Sequence, residues 1–104
     1  VREVDTAGAL QLINHKNALV LDVRESGDYD AGHILNSRLI PLDKLKERMG
    51  ELEKHKDHPI VVVCRSGNRS GTACNLLGKQ GFGQVYNLAG GMLAWQKLNL
   101  PLKR

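Results

Sequence analysis

One stretch limits what this chain can become. Ile60-Val61-Val62-Val63 are four consecutive β-branched residues, and they run straight into Cys64 and a short polar loop, Arg65-Ser66-Gly67-Asn68-Arg69-Ser70-Gly71. An apolar run of this kind, closed by turn-forming residues, suits a strand buried on both faces, as in a parallel sheet. After the loop, Ala73, Cys74, Leu76 and Leu77 recur at helical spacing. The reading is strand, loop, helix. The loop then lies at the carboxyl end of a strand, where open α/β sheets place their ligands. It also lies at the amino end of a helix, where backbone N–H groups lack partners and the helix dipole adds positive charge. A loop curled there is an anion cradle. Cys64 is expected at its entrance. The helix end and the arginines favour thiolate over thiol, lowering the pKa from its reference of about 8.5. The thiolate is the nucleophilic form. The alternative is a structural cysteine that merely ends a core strand, but Arg65, Gly67, Arg69 and Ser70 all suit the loop.

The rest of the chain repeats the alternation. Asp5 can cap a helix over about residues 6–14, with Leu10 and Ile13 inward. Ala18-Leu19-Val20-Leu21 is a second buried strand, ending at Asp22-Val23-Arg24. Residues 25–33 hold Gly27, Gly32 and several acids and read as a loop with room for one helical turn. Arg38-Leu39-Ile40 is a short strand stopped by Pro41. Asp43 is expected to cap a helix through about Leu52, with Leu45, Met49 and Leu52 inward. The helix after the cysteine loop runs to about Gln80, where Gly81 closes it. Gln84 to Asn87 is the next strand, Leu88 to Gly91 a turn, and Met92 to Leu98 a last helix before Pro101. Short apolar strands alternating with helices predict a parallel α/β sheet covered on both sides. The 104 residues suit one domain, residues 1–104.

Composition narrows the function. The net charge of +4 suits an anionic substrate, an acidic partner or a membrane surface and is too small and scattered for nucleic acid. Cys64 and Cys74 would lie about 10 Å apart along a helix axis, too far for a disulfide. Two unpaired thiols fit a reducing compartment, so a cytoplasmic location is expected. Four scattered histidines and no Cys-x-x-Cys give no metal spacing. No run reaches membrane-spanning length. Because the chain begins at Val1, an anchor or domain upstream stays an open possibility.

Three motifs together resemble one family. Cys64-Arg65-Ser66-Gly67-Asn68-Arg69-Ser70 is similar to the active loop of the rhodanese sulfurtransferases. Asp22-Val23-Arg24-Glu25, with Asp28-Tyr29 and Gly32-His33-Ile34, resembles their Asp-Val-Arg…Gly-His-Ile signature. Leu88-Ala89-Gly90-Gly91-Met92 with Ala94-Trp95 resembles their Gly-Gly-x-x-Ala-Trp element. The one departure is Leu35-Asn36-Ser37 where the family usually has Pro-Gly-Ala. The resemblance implies a rhodanese-like three-layer α/β/α fold with about five parallel strands. It implies transfer of a sulfane sulfur from thiosulfate to cyanide or a thiol through a persulfide on Cys64, without a cofactor. The loop residues Arg65, Ser66, Gly67, Asn68, Arg69 and Ser70 would bind the donor, supported by Asp22 and Arg24.

Individual roles follow as expectations. Arg65 faces the pocket mouth. Arg69 either contacts the anion or pairs with Asp22, and the pairing is preferred. Arg24 lines the pocket or braces a carboxylate. His33 bonds a backbone group, Trp95 is core, Cys74 is buried and inert, and Gly90 and Gly91 allow a turn and close backbone approach. Three other functions compete. In the first, a protein donor and a protein acceptor pass sulfur through this chain. The second is a docking domain, which an intact cysteine argues against. The third is a cysteine phosphatase, which needs Cys-x5-Arg; the count here is Cys-x4-Arg.

Overall fold

The computed structural model describes residues 2–104. Five strands form one sheet: β1 (Arg2–Val4), β2 (Leu19–Asp22), β3 (Arg38–Leu39), β4 (Ile60–Val63) and β5 (Val85–Leu88). Their order is β1-β5-β4-β2-β3, and every pairing is parallel. The valine run is therefore the central strand, and Cys64 follows its carboxyl end.

Side chains alternate across a strand, so β4 feeds two cores. Ile60, Val62 and Cys64 point to one face, where they meet Leu45, Leu52, Ala73, Cys74 and Leu77. Val61 and Val63 point to the other, where they meet Ala9, Leu88, Met92 and Trp95. The helices that supply these residues form the outer layers: α1 (Thr6–Lys16) and α5 (Gly91–Lys97) on one side, α3 (Leu45–Arg48) and α4 (Asn68–Lys79) on the other. This is the three-layer α/β/α arrangement that the alternation predicts.

Asp5 caps α1 as expected, accepting a hydrogen bond from the Gly8 amide at 2.8 Å. Two expectations need correction. Residues 26–31 form a short helix, α2 (Ser26–Ala31), that buries no side chain. The segment expected as one helix from Asp43 to Leu52 is instead a 3-10 turn (Leu42–Lys44), then α3, then a longer 3-10 segment (Met49–His55). Leu45, Met49 and Leu52 still point inward, because either kind of helix brings residues three or four apart to one side. β1 is an element the sequence reading lacked.

Candidate active site

Cys64 leaves β4 and the chain curls at once. Gly67 takes φ +105°, a left-handed conformation natural to glycine, and α4 starts at the next residue. The curl returns the Gly67 amide to the cysteine, where it donates to Sγ at 3.0 Å. Ser70, one turn into α4 and fully buried, places Oγ 3.2 Å from the same sulfur. Burial pushes the Cys64 thiol up, while the Ser70 hydroxyl and the amides of Ser70, Gly67 and Ser66 pull it down. The donors prevail, so Cys64 lies below the ordinary thiol value. Neutral donors produce this lowering. Arg65 and Arg69 are exposed, and neither bonds the sulfur.

Cys64 is not at the entrance of the cradle, as expected, but at its floor: it is 2% exposed, because Ser66 and Gly67 curl back over it. Cys74 lies in the same core without comparable donors, and burial pushes its thiol up to about 12.

The loop is fixed from behind. Met92 and Leu93, in the first turn of α5, donate their amides to Cys64 O at 2.9 Å and Arg65 O at 3.1 Å. Gly91 makes this approach possible. A Cβ there would stand 2.4 Å from Cys64 O and 2.7 Å from Arg65 O. The sequence reading anticipated a close approach at this pair of glycines. It missed Asn87, a buried amide in the otherwise apolar β5 that donates to Gly67 O at 3.0 Å. The available signal was that lone amide one residue before the Leu88-Ala89-Gly90-Gly91 turn.

The expected pairing of Asp22 with Arg69 does not form. Asp22 pairs with Arg24, whose Nη2 lies 2.8 Å from Oδ2 and whose Nε and backbone N–H both reach Oδ1 at 3.0 Å. Residues two apart in extended chain share a face, so Arg24 meets Asp22 without any rearrangement. Arg24 Nη2 also donates to Gly32 O at 2.8 Å, tying the end of β2 to the segment after α2. Arg24 thus braces a carboxylate and also borders a cleft with Asp28, Arg65, Met92 and Leu93. Arg69 lies on the surface, 4.0 Å from Glu25. Asn68 is exposed, as is Ser66, which borders a second, apolar cleft with Gly90, Leu93 and Lys97. His33 bonds Tyr29 O at 2.8 Å and stacks on the Tyr29 ring. Trp95 is core.

The family of the Rhodanese-like domain matches residues 5–98, nearly the whole chain. The chain belongs to the rhodanese-like family. The uncharacterized protein YibN of Escherichia coli K12 is 42% identical over all of this chain and 73% of its own length. A protein of Allochromatium vinosum named sulfurtransferase is 37% identical over 98% of this chain and 94% of its own. The crystal structure of a rhodanese-related protein from Thermoplasma volcanium superposes with a TM-score of 0.88 at 34% identity, covering 99% of this chain and 98% of that one. This rhodanese-like chain therefore has the fold of its relatives, and the family together with the name of the Allochromatium relative supports sulfur transfer as the general activity. Among the described residues no helix is long and apolar enough to cross a membrane.

Proposed function

We propose that this chain is a sulfurtransferase that takes a sulfane sulfur from thiosulfate, or another persulfide donor, and passes it to cyanide or a thiol through a persulfide on Cys64. The observation that carries the reading is the Gly67 amide 3.0 Å from Sγ, in a loop that lowers the cysteine's pKa with neutral donors. Preorganised N–H groups of this kind stabilise a negative sulfur without needing to reorganise. The Cys64 thiolate attacks the outer sulfur of thiosulfate. An Sγ–S bond forms, the donor's S–S bond breaks, and sulfite leaves with the electron pair. The amides of Arg65 to Ser70 hold the terminal sulfur. The acceptor then attacks that sulfur, and Cys64 departs as thiolate. Ping-pong kinetics follow from two such half-reactions. The roles of the remaining residues are part of the proposal. Arg65, at the cleft, attracts the anionic donor, and Asp22 and Arg24 hold the loop's neighbour in place. The scheme balances without a cofactor.

A second reading has one observation in its favour. Leu93 is 50% exposed and borders both clefts beside the loop, flanked by Arg65 in one and Lys97 in the other. An exposed leucine among cations suits a protein donor or acceptor, so the physiological exchange would be protein to protein.

The test is intact mass after thiosulfate treatment, without reducing agent, for wild type and Cys64→Ser. The expected outcome is a gain of about one sulfur atom in wild type, reversed by cyanide and absent from the variant. A wild-type mass that stays unchanged would sink the mechanism. Fast loading with slow cyanide turnover would favour the protein relay.

A further inference from the structure

A buried line of hydrogen bonds runs from the sulfur to β5, and with Cys64 as a thiolate it is short of one proton. Cys64 Sγ lies 3.2 Å from Ser70 Oγ, and Ser70 Oγ donates to Asn87 Oδ1. The far end of the Asn87 amide faces two acceptors, Gly67 O at 3.0 Å and Glu3 Oε2 at 3.2 Å. A carbonyl and a carboxylate cannot donate, so that end is the NH2 group. The end facing Ser70 is thus the carbonyl oxygen, which only accepts.

A serine hydroxyl has a single proton. While Asn87 holds it, Ser70 can only accept from the Cys64 S–H. The line is complete when Cys64 is a thiol. A thiolate has no proton to give, and Ser70 would have to turn and donate to it. Asn87 Oδ1 would then lose its donor at a residue only 2% exposed, and a buried acceptor without a partner is unfavourable.

We propose that Asn87 is a positioning residue that competes with the Cys64 sulfur for the Ser70 hydroxyl proton, so that the empty thiolate, although held by the loop amides, is less fully satisfied than the thiol or the persulfide. The inference takes from the proposed function only that Cys64 is the reacting group. In a persulfide, Sγ bridges Cβ and the terminal sulfur, and the charge sits on the terminal atom. Ser70 can then keep donating to Asn87. Thiol and persulfide are both satisfied, and the site is tilted toward being loaded.

The other titratable and charged groups near the cradle are few. The Asp22–Arg24 pair lies at the end of β2, Arg65 and Arg69 lie in and just after the loop, and Cys74 lies on α4. On α5 the first turn has no acid, and Lys97 is in the last turn. Among the described residues only Glu3 touches the line, through the NH2 of Asn87.

The experiment is iodoacetamide alkylation across pH, read from the mass of the Cys64 peptide, in wild type, Asn87→Ala, Ser70→Ala and the double variant. Asn87→Ala should lower the alkylation midpoint by about half a pH unit or more, roughly threefold more thiolate at pH values well below the midpoint. In the Ser70→Ala background the same substitution should move nothing. Equal shifts in both backgrounds would mean that Asn87 acts only by holding Gly67 O, and would overturn the proposal. An unchanged or higher midpoint in Asn87→Ala alone would do the same. Asn87→Leu, near in size and unable to accept, replaces the alanine variant if that fails to fold, with the same expectation. Alkylation needs no sulfur donor, so a chain that never loads sulfur still gives a readable result.

Discussion

At the scale of single residues, Cys64 and Cys74 make a controlled pair. They share one core and are both nearly sealed from water. Burial alone would push both thiols up. Only Cys64 has amides and a hydroxyl aimed at it, and it alone ends below the ordinary value. A lowered value means that more Cys64 than free cysteine is thiolate at neutral pH. Acidification removes it, so alkylation of Cys64 should fall about tenfold per pH unit below its midpoint, with that midpoint below the one an ordinary cysteine shows. Cys74 should stay unmodified until the chain is unfolded. Peptide masses from one pH series check both; a Cys74 that reacts first would contradict the picture. The candidate nucleophile was legible in sequence because its surroundings are contiguous in the chain. The Asp22 partner was misread for a reason equally local. Arg69 lies on the surface beside Glu25, whereas Arg24 is two residues along an extended segment and already faces the same way as Asp22.

At the scale of elements, the start of α5 functions as the back wall of the cysteine loop. Gly91→Ala would drive a Cβ into Cys64 O and Arg65 O, which are backbone atoms and cannot swing aside. At φ +54° the alanine would be strained as well. The loop should shift, and persulfide formation from thiosulfate should fall by roughly a hundredfold, the scale on which misplacement of about 1 Å acts. Gly78→Ala in α4 is the control. Its Cβ meets nothing within 4 Å, so loading should be unchanged. Mass spectrometry of the persulfide on both variants decides; equal loading would dismiss the back wall. Elements with an apolar side were the legible ones, β4 and α4 above all. β1 has two charged residues in three and lies at the sheet edge, so it gives no apolar signal. α2 buries nothing, so its helical hydrogen bonds left no pattern in the sequence. The segment after Pro41 shows the converse. Periodicity reported which side is buried, and it could not tell 3-10 from α hydrogen bonding.

For the whole molecule, two cores share one sheet, so damage to either should be felt by both. Leu77 is fully buried against the Ile60 and Val62 face, and Trp95 lies in the opposite core. Leu77→Ala should cost about 2–5 kcal/mol. Urea unfolding followed by Trp95 fluorescence and by circular dichroism should report the same loss, as an all-or-none transition requires. Two separated midpoints would show that the layers come apart independently. The layer architecture was legible because alternation of strands and helices fixes it; strand order was not, since nothing local says which strand sits outermost.

That order has a final consequence. Among the described residues the outermost strands, β1 and β3, pair over three and two residues. The β3 rim, paired over two residues, therefore offers another chain very little free backbone on which to add a strand. The long valine run that would be most prone to intermolecular β-aggregation is enclosed by neighbours on both sides.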